Sequence, residues 1–260
     1  MQNSNNIFSL KGKKAIVIGG GGHLCSTIAS GFAGAGAAIL IADLRLEKAQ
    51  SVAEDISKGK VDSDVLAYEV DASSKTSLES LLKYSESRFG KIDILVNGAG
   101  INSSKPFLQI SEIEWHEVIN SQLTATMLGC QVFGEHMLSN GAGSIINISS
   151  ASADPALSRA FAYSAAKAGI RNLTQNLGRE WAKEGVRVNA LRPGFFPTAW
   201  NRKNFITKER EDAILNHTPF GRFGETEELI GAAIYLASEA SNFVTGSELV
   251  VDGGFSAMTI

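Results

Sequence analysis

Short apolar runs, many of them β-branched, alternate along this chain with longer stretches in which apolar positions recur every three or four residues. The first run, 13–18, stops at four consecutive glycines, and an amphipathic stretch from His23 to Ala33 follows. The unit then recurs: a run at 37–43 with a helix over 44–58, a run at 65–71 with a helix over 74–89, and a run at 92–97 with a long helix over 111–138. Runs at 144–148 and 186–191 flank a helix from Ala160 to Trp181, and 248–252 forms a last strand. Strands this uniformly apolar are buried on both faces, which calls for helices on both sides of a parallel sheet. The pattern predicts a single α/β domain over residues 1–260, a doubly wound parallel sheet of the Rossmann type with about seven strands. No Pro/Ser-rich linker divides it.

Composition narrows the partners. With 24 basic and 27 acidic side chains the formal charge is -3, which gives no surplus for a phosphate backbone, so nucleic acid is not an expected partner. No run reaches the roughly 20 apolar residues that span a bilayer, and the first ten residues lack a cationic segment leading into an apolar core. A soluble cytoplasmic protein with no membrane partner is expected. The two cysteines, Cys25 and Cys130, suggest neither a disulfide framework nor a metal site.

Candidate chemistry gathers at the carboxyl ends of the strands, where doubly wound sheets bind ligands. Gly19, Gly21 and Gly22 let a backbone approach a pyrophosphate, and the helix opening at His23 and Leu24 offers N–H donors to it. His23 either donates to that pyrophosphate or caps the helix start. Asp43, about twenty residues on, accepts hydrogen bonds from a ribose diol and repels a 2′-phosphate, which favours NAD over NADP; Arg45 nearby tempers that preference. Asp71 with Ala72, Asn97-Gly98-Ala99, Ser150 and Pro193-Gly194 stand at the other strand ends.

Tyr163 and Lys167 are i and i+4 on the helix after the fifth strand, so they stack on one face. A phenol with a reference pKa near ~10 is a poor base at neutral pH, and an adjacent ammonium favours its phenolate. Tyr163 can then trade a proton with an alcohol or carbonyl while Ser150 holds the same oxygen.

These residues together resemble the short-chain dehydrogenase/reductase family over about Leu10 to Phe255. The matching pieces are the glycine turn, Asp71, Asn97-Gly98-Ala99-Gly100, Asn120, Ser150 thirteen residues before Tyr163, Lys167, and the run from Pro193 to Thr198. The resemblance implies catalysis by Asn120, Ser150, Tyr163 and Lys167: Tyr163 as acid/base, Ser150 polarising the substrate oxygen, Lys167 lowering the tyrosine pKa and binding the nicotinamide ribose, and Asn120 holding a relay water. It also implies that Asp71 meets the adenine, Asn97 stabilises the central strands, and Thr198, two residues past Phe196, approaches the nicotinamide carboxamide. A homotetramer is implied as well. Three positions of the glycine motif depart from the family pattern: Ile18 stands where a threonine is usual, and His23 and Cys25 stand where glycines are usual, Cys25 as a small residue packed where helix meets strand.

The details of the glycine turn, the Asn-Gly-Ala-Gly variant and the 193–224 region resemble the sugar-acid branch, among whose named members are D-mannonate oxidoreductases (fructuronate reductases). The segment 195–218 is long for a loop and reads as a partly helical lid. Trp200 and Arg202 on it, with Asn102 and Arg159, are candidate substrate contacts, alongside Ser150 and Tyr163. Asp154 is a further candidate. Arg202 either pairs with a substrate carboxylate or faces water. The expected activity is hydride transfer between NAD(H) and a secondary alcohol or ketone on a sugar acid, keto-sugar or polyol. An NADP-dependent 3-oxoacyl reductase, or a non-catalytic dinucleotide-binding regulator, is the alternative.

Overall fold

The computed structural model describes residues 7–59, 63–154, 157–198, 202 and 206–259. Seven parallel strands form one sheet: β1 (Lys14–Ile18), β2 (Ala38–Asp43), β3 (Val65–Glu69), β4 (Ile94–Asn97), β5 (Gly143–Ile148), β6 (Val186–Pro193) and β7 (Glu248–Val251). Their spatial order is β3-β2-β1-β4-β5-β6-β7. The order reverses between β1 and β4, and a crevice opens there at the carboxyl ends. The expected architecture is the observed one.

Alternation along each strand explains the uninterrupted apolar runs. In β1, Ala15 and Val17 join one core with Ile28 and Phe32 of α1 (His23–Gly34), while Ile16 and Ile18 join a second core on the opposite face. The first core also takes α2 (Leu46–Lys58). The second is closed by α3 (Lys75–Phe89) and α5 (Ala125–Ser139), whose Phe133 and Met137 are fully buried. Because both faces are covered, both sets of side chains in β1 are apolar.

The long helix expected over 111–138 is interrupted. It runs as α4 (Glu112–Ile119), a π-helical turn over Asn120–Thr124, then α5. A π turn shifts the register of the side chains beyond it, and such bulges are frequent at functional sites. It falls on Asn120. The helix α6 (Phe161–Trp181) matches its expected bounds to within a residue. Part of the expected lid is helical, as α7 (Lys208–Asn216). A further helix, α8 (Ile230–Ala237), packs on α1 so tightly that a Cβ at Gly31 would lie 2.5 Å from Ile230 Cγ2. No helix among the described residues is long and apolar enough to cross a membrane.

Candidate active site

The glycine turn connects β1 to α1, and its backbone approaches two neighbours at once. Gly19 has φ +75°, a conformation that disfavours side chains, and a Cβ there would lie 2.7 Å from Ala99 N. A Cβ at Gly21 would lie 2.8 Å from Lys48 Cβ and 2.9 Å from Asp43 Oδ2. The turns after β1 and β4 thus form one continuous rim. Helix α1 starts at Gly22 with no side-chain cap and no acid in its first turn, so its N-terminus keeps its positive dipole end for an anion. His23 is exposed as its first residue and Leu24 is half-buried.

Asp43 ends β2, buried, and its carboxylate is held from both sides: Oδ2 accepts from Gly21 N at 3.1 Å and Oδ1 from Arg45 N at 3.1 Å. Arg45 Nε stands 4.0 Å from Oδ1. Asp71 is exposed, and its Oδ1 accepts from Ser73 N and Ser73 Oγ, so this carboxylate shapes the turn into α3; Ala72 beside it is buried. The side chain of Asn97 is not in the groove. It lies buried between β4 and β5, donating through Nδ2 to Asn147 Oδ1 at 2.9 Å, and Asn147 donates to Thr174 at 3.0 Å. Its side chain fits strand stabilisation and is turned away from the groove.

Two motif departures, Cys25 in the glycine turn and Gly98 where the family usually has a second asparagine, belong together. A Cβ on Gly98 would lie 2.2 Å from Cys25 Sγ. The thiol that replaces a glycine in α1 therefore fills the space left by a glycine after β4. Burial pushes the Cys25 thiol up to about 12 and the Cys130 thiol to about 12, so both stay protonated and unreactive.

Ser150, Tyr163 and Lys167 meet beyond β5. Ser150 caps a short 3-10 turn, Ala151–Ala153, and its Oγ accepts from Ser152 N at 3.2 Å. Tyr163 and Lys167 rise from the first turns of α6. The Lys167 ammonium lies 5.4 Å from the Tyr163 ring centroid and donates to Ile148 O at 2.6 Å. Desolvation lowers its pKa to about 8. The expectation that Lys167 depresses the tyrosine is not realised in this arrangement. Desolvation raises Tyr163 above the ordinary phenol range, and the group that pulls it back is the Ser150 hydroxyl. Asn120 is exposed at the start of the π turn and accepts from Thr124 Oγ1 at 3.3 Å.

The outer residues are less concentrated. Pro193 ends β6, followed by Gly194; half-buried Phe196 lies where a Cβ on Gly224 would meet its ring at 2.2 Å, and Thr198 is half-buried. Asn102 and Arg159 are exposed in loops, and Arg159 takes φ +56°. Trp200 lies outside the described residues. Arg202 stacks its guanidinium over Phe223 at 4.8 Å, which favours neither expected role. Asp154, another candidate substrate contact, instead pairs with Arg171 and Arg192. Arg192 itself was missed; β6 also carries Arg187 and Asn189, so nothing local in the strand singles it out. Among the described residues no cluster of three or more His, Cys, Asp or Glu side chains suits a metal.

A family model described as enoyl-(acyl carrier protein) reductase matches residues 24–256. The gluconate 5-dehydrogenase of Gluconobacter oxydans is 32% identical, over 96% of this chain and 97% of that protein. The 5-keto-D-gluconate 5-reductase of Escherichia coli K12 is 35% identical, over 96% and 98%. The crystal structure of a gluconate 5-dehydrogenase from Burkholderia cenocepacia, in complex with NADP and tartrate, superposes with a TM-score of 0.92 at 36% identity, covering 99% of this chain and all of that one. The chain belongs to the short-chain dehydrogenase/reductase family and is an oxidoreductase acting on CH–OH groups. The narrower resemblance to D-mannonate oxidoreductases is corrected, because those form a different family.

Proposed function

We propose that this enzyme interconverts a sugar acid and its keto form at a secondary carbon, with the gluconate/5-ketogluconate pair as first candidate. The observation that carries the reading is the convergence of Ser150, Tyr163 and Lys167 at the end of β5, beside the rim that Gly19 and Ala99 build. The relatives named for gluconate C5 chemistry supply the substrate class.

The groove fits a dinucleotide: the glycine rim admits no side chain, and the α1 N-terminus is uncapped. Gly19, Gly21, Gly22 and the first α1 amides would hold the pyrophosphate, and Asp43 the adenosine ribose. A bound nicotinamide gives or takes the hydride. In the oxidation direction Tyr163 accepts the substrate hydroxyl proton, and Ser150 holds the same oxygen. In reduction Tyr163 returns the proton. Lys167 spends one N–H on Ile148 O, which leaves two donors for ribose hydroxyls. Asn120, where the helix loosens into a π turn, holds a water that carries the proton onward. We assign NAD as the preferred cofactor on Asp43, whose buried carboxylate repels a 2′-phosphate; Arg45 and the NADP-bound Burkholderia neighbour are the observations that favour NADP.

Arg159 is the group we assign to the substrate carboxylate. It stands four residues before Tyr163, exposed, on a left-handed backbone that costs a non-glycine residue about 1 kcal/mol. The test is initial-rate spectrophotometry of nicotinamide reduction or oxidation. Gluconate with 5-ketogluconate, D-mannonate with fructuronate, and uncharged polyols are compared under NAD(H) and NADP(H). Turnover confined to uncharged polyols overturns the reading. An assembly into homotetramers is proposed with it, checked by sedimentation.

A further inference from the structure

Arg192 is a charge in a place where charges are costly. It lies one residue before the end of β6, opposite Val250 of β7, and is 3% exposed. A buried guanidinium must be paired and hydrogen-bonded. Its Nη1 donates to Asp154 Oδ2 at 2.5 Å and to Glu248 Oε2 at 3.1 Å; its Nη2 donates to Ala151 O at 3.4 Å and Ser256 Oγ at 3.2 Å. Arg171 of α6 completes the cluster, paired with Asp154 and 3.5 Å from Glu248 Oε2. Two cations and two anions balance.

Such a cluster is a weak source of stability, since apolar side chains of the same volume often serve as well or better. What a guanidinium supplies is direction, because its donors form a rigid planar fork. Here the fork grips the backbone one residue past Ser150 and the carboxylate four residues past it. Ser150 caps the turn between those two points, and its Oγ is fixed by that turn. Glu248 and Ser256 anchor the other side of the fork to β7 and the last 3-10 turn, Phe255–Ala257.

We propose that Arg192 is a positioning residue, aiming Ser150 at the reacting oxygen by clamping the Ala151–Asp154 turn to β7 and the C-terminal turn. Asp154 is the hinge side of the clamp. The inference rests on Ser150 and Tyr163 as the reacting pair. Parent turnover tests that reading, and the ratio of variant to parent tests this one.

The experiment compares Arg192→Met, Arg192→Lys and Asp154→Asn with the parent protein. Asp154 is exposed, so its amide variant removes one arm of the clamp without opening the core. Displacing Ser150 by an ångström lowers kcat about 100-fold in Arg192→Met, and loosening one arm lowers it roughly tenfold in Asp154→Asn. Cofactor dissociation constants stay within about twofold of the parent. Arg192→Lys recovers part of kcat. The alkaline limb of the oxidation rate moves to higher pH in Arg192→Met and Asp154→Asn, because a displaced Ser150 no longer favours the Tyr163 phenolate. A folded Asp154→Asn or Arg192→Met with kcat within about twofold of the parent and an unmoved limb overturns the proposal. So does a loss that follows only the folded fraction. If Arg192→Met does not fold, Asp154→Asn decides.

Discussion

Adding one methyl group at Gly98 is the sharpest perturbation of the nucleotide rim. A Cβ there lies 2.2 Å from Cys25 Sγ and 3.2 Å from Ile148 Cγ1. Ordinary contact is near ~3.7 Å, so the sulfur must retreat by about 1.5 Å. It has little room, because Cys25 is 4% exposed and sits in the α1 core beside Ile28 and Ala29. Overpacking of this kind costs about 1–3 kcal/mol, and Gly98→Ala is expected to lose that much. Cys25→Gly costs about 1 kcal/mol through helix entropy, plus its lost packing. If the sites were independent, the double variant would lose the sum. Since the smaller residue at 25 vacates the space the methyl needs, the double variant is expected about 1–3 kcal/mol more stable than that sum. Equilibrium urea unfolding at one fixed protein concentration, followed by tryptophan fluorescence, measures all four corners of the cycle. Additivity within about 0.5 kcal/mol would refute the pairing of the two motif departures.

Oxidation requires the Tyr163 phenolate, whose pKa is raised by desolvation, so the rate climbs with pH through and beyond neutrality rather than levelling off there. Ser150→Ala removes the group that lowers that pKa, so its rising limb lies at higher pH than the parent's; a limb at lower pH contradicts the assignment. Asp43→Ala is expected to narrow the NAD/NADP preference about tenfold or more in kcat/KM, since it removes both the ribose acceptor and the charge that repels a 2′-phosphate. An unchanged ratio shows that Arg45 or the turn itself discriminates.

The sheet was legible because burial on both faces writes itself as apolar runs, and β1, β2 and β4 carry almost nothing else. Tyr163 and Lys167 were legible because helical spacing puts i and i+4 on one face. Other features depend on three-dimensional approach. The π turn at Asn120 leaves the amphipathic pattern of 111–138 almost unchanged, so the sequence reads as one helix. Helix α8 is apolar on nearly every side, and no period marks it. Asn97 stands at a strand end like its groove-lining neighbours; only the presence of Asn147 on the next strand turns its side chain inward. The Tyr163 shift also escaped, because i+4 spacing says nothing of how much water either group has lost. Arg192 and Asp154 meet across 38 residues, and neither has a local signature.

The proton transfer at Tyr163 is the centre of the account, and Tyr163→Phe isolates it by removing one hydroxyl and keeping the ring beside Lys167. Two quantities are read on the same preparation: kcat with the best sugar-acid substrate, and the NADH dissociation constant by fluorescence. Loss of acid/base catalysis predicts a kcat lowered by about 100-fold or more with NADH affinity within about threefold of the parent. Turnover comparable to the parent, with NADH bound as before, would contradict it.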